Sequence, residues 1–154
     1  MINPRLDQDS QERVNNIEAG KSIQIYTEKQ PVILVVDDEE KIIKLLKVNL
    51  SIDGYQVVTA SDGTSAMESF VNCPPDLVIM DIMMPKIDGF QVLDLLRRRS
   101  NVPVIITTAK WDMTLLDPVG LSADSYLKKP FSINELTSLV KTKLKNASKQ
   151  VSEV

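Results

Sequence analysis

Histidine is absent from the 154 residues, and cysteine occurs once, at Cys73. Without histidine there is no imidazole general base and no Ser-His-Asp or Cys-His nucleophile system. One Cys and no His leave a structural zinc ion without ligands, and a lone thiol cannot form an internal disulfide. An excess of basic residues is also missing: the formal net charge is −3 and the pI about 5.0. That balance does not suggest direct nucleic-acid binding by this chain. No apolar run approaches the roughly 18 residues needed to span a membrane. The opening stretch, MINPRLDQDSQERVNN, lacks the apolar heart of a signal peptide. The expectation is a cytoplasmic domain, away from membranes, whose chemistry uses carboxylates, hydroxyls and lysine.

What is present is ordinary for a globular chain: 43% hydrophobic and 25% charged residues, enough for one core without staples. Residues 1–30 stand apart, rich in Asn, Gln, Asp, Glu and Ser, and read as a polar N-terminal extension. Ser22-Ile23-Gln24-Ile25-Tyr26 alternates like a short strand but stands alone. From Pro31 the pattern changes. Val32-Ile33-Leu34-Val35-Val36 is a continuous, largely β-branched run, as expected of a strand buried on both faces of a parallel sheet. Residues 39–52 carry apolar side chains at helical spacing, and Gly54 follows as a helix stop.

The alternation then repeats. Tyr55 to Ala60 reads as a strand, Asp62 to Asn72 as a helix, and Leu77-Val78-Ile79-Met80 as a second buried strand. Gly89 to Arg98 reads as a helix, Val102 to Thr107 as a strand and Ser125-Tyr126-Leu127 as a short strand. Ser132 caps a last helix through Leu144, with Glu135 in the capping-box position. Strands alternating with helices predict an α/β fold, a parallel sheet with helices on both faces. The domain extends over residues 31–147, and residues 148–154 form a polar C-terminal tail.

Ligands of such folds sit outside the carboxyl ends of the strands. Those ends carry Asp37 and Asp38, then Asp81, then Thr107 and Thr108, then Lys128 and Lys129. A lone Asp at a strand end is usually a helix cap, and a lone Thr in a strand a propensity choice. Together they form a chemical set. Carboxylates at neighbouring strand ends repel one another and favour a divalent cation among them. Oxygen ligands without nitrogen or sulfur point to Mg²⁺, or Mn²⁺, rather than zinc. A hydroxyl and an ammonium complete an anion site suited to phosphoryl transfer, in which one Asp could be the nucleophile.

The text around these residues resembles the receiver domain of two-component response regulators. The resemblance rests on Val35-Val36-Asp37-Asp38-Glu39, on Asp76 to Pro85, on Asp88-Gly89, on Pro103 to Ala109 and on Tyr126 to Phe131. It covers about three-quarters of the chain and leaves no output domain within it. It implies a flavodoxin-like, doubly wound five-stranded parallel sheet with strand order 2-1-3-4-5. It implies Asp81 as the phosphoacceptor. Asp37 and Asp38 match the acidic pair that positions Mg²⁺, and the backbone carbonyl of Met83 matches a further metal ligand. The family's switch hydroxyl is followed by Ala, which selects Thr108 over Thr107. Its lysine precedes Pro, which selects Lys129 over Lys128. Tyr126 matches the aromatic that reports the switch, and Pro130 a proline that commonly follows a cis peptide bond.

The implied activity is a phosphorelay step. A sensor histidine kinase or phosphotransfer protein donates a phosphoryl group to Asp81. The new charge attracts Thr108 and holds Lys129, and a partner-binding surface switches toward a downstream protein or a homodimer. Such a chain takes part in its own phosphorylation and dephosphorylation without being a dedicated enzyme. The rival reading is a pseudo-receiver, an interaction module that keeps the fold and signals without phosphate. A phosphatase on a similar fold would need a second carboxylate after Asp81, where Met83 stands two residues on.

One stretch departs from the family. The interval from Thr108 to Lys129 is 21 residues, about one shorter than usual, and residues 110–121 contain Pro118 and Gly120. Both oppose a helix interior, so no regular helix is expected across Pro118, and Trp111 is expected to sense any movement of this stretch. Other motifs carry little. Gly20-Lys21-Ser22 imitates the end of a phosphate-binding loop but has Asn15 where the first glycine belongs. Asn146-Ala147-Ser148 matches a glycosylation sequon, and Arg97-Arg98-Arg99 reads as a solvated helix end.

Overall fold

A computed structural model describes residues 29–110 and 123–152. The expectations for Ile23 to Tyr26, for Trp111 and for the stretch across Pro118 lie outside the described residues. Five parallel strands form one sheet: β1 (Val32–Val36), β2 (Gln56–Ala60), β3 (Leu77–Asp81), β4 (Val104–Thr108) and β5 (Ser125–Lys128). Their order is β2-β1-β3-β4-β5, as the resemblance implied. The helices are α1 (Glu40–Ile52), α2 (Gly63–Asn72), α3 (Gly89–Arg97) and α4 (Ile133–Ser152).

The strand period of two sorts the apolar runs onto two faces. Leu34, Val36, Val78, Met80, Val104 and Ile106 pack with Ala66 and Phe70 of α2 and Val92, Leu93 and Leu96 of α3. Ile33, Val35, Leu77, Ile79 and Ile105 pack with Leu46 and Leu50 of α1 and Leu136 and Val140 of α4. Among the described residues, each face is therefore covered by two helices. This is why β1, β3 and β4 contain no alternating polar residue and are buried along their whole length.

Most boundaries match the sequence reading, and each shift has a local cause. β4 begins at Val104 rather than Val102, because Pro103 has no N–H for the ladder and the Val102 N–H goes to Ser100 Oγ at 3.0 Å. It ends one residue later, since the Thr108 carbonyl accepts the Lys129 N–H at 2.7 Å. β2 starts after Tyr55, whose N–H still closes onto the Leu50 carbonyl. Gly54 takes φ +92°, the left-handed geometry that ends α1. Ser132 and Glu135 make the expected reciprocal capping box, with bonds of 3.1 and 3.2 Å. The last helix corrects the expectation most. It continues eight residues beyond Leu144, to Ser152. Apolar periodicity thins there, but Lys, Ala and Gln are good helix formers, and the hydroxyls of Ser148 and Ser152 are satisfied by the carbonyls one turn earlier without supporting the helix themselves.

Candidate functional site

The carboxyl ends of β1 and β3 are adjacent, and they carry Asp37 and Asp81 into one depression. Carboxylate oxygens of Asp37, Asp38 and Asp81 lie within 4.8 Å of one another. Asp37 and Asp81 are buried, while Asp38 is exposed. Two buried carboxylates so close repel by roughly 3–4 kcal/mol at an effective dielectric of about 20.

Lys129 answers that repulsion. It follows β5, and its Nζ donates to Asp37 Oδ2 at 2.8 Å and to Asp81 Oδ2 at 3.2 Å. The other oxygen of each carboxylate accepts a backbone N–H: Glu39 N–H on Asp37 Oδ1 at 2.9 Å, and Met83 N–H on Asp81 Oδ1 at 3.0 Å. Burial pushes the Asp81 carboxyl above its ordinary value. The Met83 N–H and the Lys129 charge oppose that rise, and Asp37 adds to it. Burial pulls the Lys129 ammonium down. Its hydrogen bond to Asp37 and the charges of Asp37 and Asp81 outweigh this and hold it above its ordinary value. The Lys129-Pro130 peptide is cis.

The two threonines separate by face. Thr107 pairs in register with Asp81, while Thr108 follows Ile106 by the strand period and shares the face on which Tyr126 packs. Thr108 is fully buried, and its hydroxyl donates to the Lys110 carbonyl at 2.8 Å and accepts the Lys110 N–H at 3.1 Å. Lys128 is exposed, unlike Lys129. Met83 reaches Asp81 through its backbone N–H, and its side chain stands half exposed.

The family model for the response regulator receiver domain matches residues 33–141. The chain belongs to that family. As a receiver it is 43% identical over 131 residues to a probable transcriptional regulator, ycf27, of Guillardia theta, covering 84% of this chain and 52% of that protein. It is 44% identical over 119 residues to the alkaline phosphatase synthesis transcriptional regulatory protein PhoP of Bacillus subtilis, covering 75% and 49%. The chain thus spans about half the length of the curated relatives it matches. Among solved structures, the receiver domain of the Francisella response regulator 1452 superposes with a TM-score of 0.70 at 34% identity, covering 76% of this chain and 98% of that one. A CheY-like receiver from Methanospirillum hungatei gives 0.74 at 26% identity, covering 79% and 99%. No described helix of the receiver is long and apolar enough to cross a membrane.

Sequence reasoning passed over the anchors that hold the receiver's site strands. Asp76 Oδ2 accepts the Val32 N–H at 2.7 Å and fixes the start of β1 against β3. Asp124 Oδ2 accepts both the Val104 N–H and Arg97 Nη2 at 2.8 Å, while Arg97 Nη1 donates to the Val102 carbonyl. A carboxylate just before a buried strand was the available signal, and it resembles any loop Asp. Glu39 was also missed. It stands at the N-cap of α1 without capping it, and its carboxylate lies 3.6 Å from Lys129 Nζ.

Proposed function

We propose that this receiver accepts a phosphoryl group on Asp81 from a phosphohistidine of a sensor histidine kinase or phosphotransfer protein. The observation that carries the reading is Lys129 Nζ bridging Asp37 and Asp81 beside Asp38. The donor set is all oxygen and fits a hard divalent cation, Mg²⁺ or Mn²⁺. Asp37, Asp38, Asp81 and the Met83 backbone carbonyl would hold it. When bound, Mg²⁺ neutralises charge on the transferring group.

A carboxylate oxygen of Asp81 attacks phosphorus. The P–O bond forms as the P–N bond breaks, and the electron pair leaves on the donor imidazole nitrogen. Lys129 exchanges a carboxylate oxygen for a phosphoryl oxygen, so its charge follows the new anion. The Thr108 hydroxyl is the remaining donor. To reach the phosphoryl group it must leave the Lys110 carbonyl, which couples phosphorylation to the backbone after β4. Tyr126, packed on the same face, can follow into the space vacated. The altered surface would engage a downstream protein or a second receiver. On this reading the chain is a phosphoacceptor that takes part in its own turnover, not a dedicated enzyme.

Incubation with Mg²⁺ and a small acyl-phosphate donor tests the reading. A base-labile label is expected on Asp81, lost in Asp81→Asn and on chelating the metal. Label persisting in that variant would overturn the assignment. Absence of label on the wild-type chain would favour an interaction module that works without phosphate.

A further inference from the structure

Lys129 poses a problem for cation binding. In the structure described, its ammonium occupies the oxygens Asp37 Oδ2 and Asp81 Oδ2, on two of the carboxylates a divalent ion would use. An ion drawing on those oxygens therefore competes with the ammonium for them. Lys129 is only 12% exposed in its side chain, so a retreat without a new partner would leave a desolvated cation unpaired.

Glu39 stands where such a partner is needed. Its carboxylate is 3.6 Å from Lys129 Nζ, beyond hydrogen-bond distance but within reach of a small side-chain movement. Although Glu39 occupies the N-cap of α1, its side chain accepts no N–H of that helix and remains available. Its backbone is held in place, because the Glu39 N–H donates to Asp37 Oδ1 at 2.9 Å. The backbone that carries the receiving carboxylate is thus held to the carboxylate that would release the ammonium.

We infer that Glu39 is a positioning residue for cation entry, acting through Lys129 by taking its ammonium as the ion takes Asp37 and Asp81. The inference rests on the proposed cation site. Without Glu39 the lysine settles more fully on Asp37 and Asp81 and competes harder with the ion. A second explanation has to be separated from this one: Glu39 is also a negative charge near the site, and its field alone would favour a cation. The two differ in their dependence on Lys129. The field acts whether or not the lysine is there, whereas an alternative acceptor has no role without it.

A double-mutant cycle on the full chain distinguishes them, with Mg²⁺ alone as the probe and calorimetric titration as the readout, so that no phosphoryl transfer enters. Glu39→Gln is expected to weaken Mg²⁺ binding about fivefold in the wild-type background. In Lys129→Met the same change is expected to alter binding by less than twofold, and Lys129→Ala replaces that background if the methionine variant melts early. Glu39→Asp, which keeps an acceptor at the same anchor, is expected to retain most of the affinity. An equal or larger factor in the lysine-free background would overturn the inference and leave only the field. No effect of Glu39→Gln on the wild-type chain would also overturn it. Failure of the wild-type chain to bind Mg²⁺ saturably would instead remove the cation site itself, and the inference with it.

Discussion

A methyl group placed on Gly89 would stand 2.8 Å from the carbonyl oxygen of Asp81 and 2.6 Å from Ile82 Cα. The start of α3 is therefore pressed against the backbone of the strand end that carries the proposed acceptor, with the Gly89 N–H donating to the Ile82 carbonyl at 3.1 Å. Backbone on both sides cannot yield as a flexible side chain would. Gly89→Ala is expected to destabilise the fold by about 1–3 kcal/mol, the usual cost of overpacking, and to slow labelling of Asp81. Urea unfolding and phosphorylation kinetics check both; unchanged stability would mean that α3 shifts freely.

Removal of the acidic proton site has a definite sign. Burial raises the Asp81 pKa, so the folded chain holds that proton more tightly than the unfolded chain does. Stability from this group is therefore present below the ordinary carboxylate value of about 3.9 and is lost as pH rises through the folded one. Asp81→Asn should consequently raise the melting temperature in chelator at pH 7 above that of the wild-type chain. The advantage should shrink below about pH 4. An advantage that grows on acidification would contradict the assigned cause.

Lys129 works in the opposite direction. Its pKa is held above the ordinary lysine value by Asp37 and Asp81 against the pull of burial. Its contribution to stability is present below about pH 10 and is lost as pH rises through the folded value. Melting curves of wild type and Lys129→Met should converge at alkaline pH. A gap that stays constant into the alkaline range would show that the lysine acts through packing alone.

Asp124 offers a test away from the chemistry. Asp124→Ala removes the acceptor shared by the Val104 N–H and Arg97 Nη2, while the Arg97 bond to the Val102 carbonyl survives. A loss of about 2 kcal/mol is expected, the cost of stranding a partly buried donor. Mg²⁺ affinity should stay within twofold of wild type, since β1 and β3 are untouched. A large loss of affinity would show that β4 positions the carboxylates.

On the proposed reading, Met83 is expected to influence how long a phosphoryl group on Asp81 would last. Met83 is 49% exposed two residues after the proposed acceptor, and its thioether offers no hydrogen-bond donor to orient an attacking water. Met83→Asn supplies a donor and an acceptor there, so the phosphorylated form should decay several-fold faster. An unchanged or longer lifetime, followed by loss of label, would count against this role.

The sheet was legible because its strands are buried on both faces and so are written as unbroken apolar runs. The strand ends then named Asp37, Asp38 and Asp81, since parallel strands all present the same end, but left Thr107 beside Thr108 and Lys128 beside Lys129; the family resemblance was needed to choose Thr108 and Lys129. Ser132 with Glu135 was equally plain, because a capping box is local. The end of α4 was not, because Lys145 to Ser152 are helical by propensity rather than by an apolar stripe. Glu39, Asp76 and Asp124 escaped for a different reason. Their partners are Lys129, Val32, Val104 and Arg97, mostly tens of residues away, and no periodicity encodes such a distance.

The bond from Lys129 to Asp37 joins residues 92 positions apart, and that to Asp81 joins residues 48 apart. The carboxylates need only β1 and β3 in register, whereas the lysine arrives with the far edge strand, after β4 has docked. The edge strand β5 thus delivers, across β4, the only counter-charge that the buried carboxylates of β1 and β3 receive among the described residues, so the charge balance of the site depends on the sheet being complete to its edge.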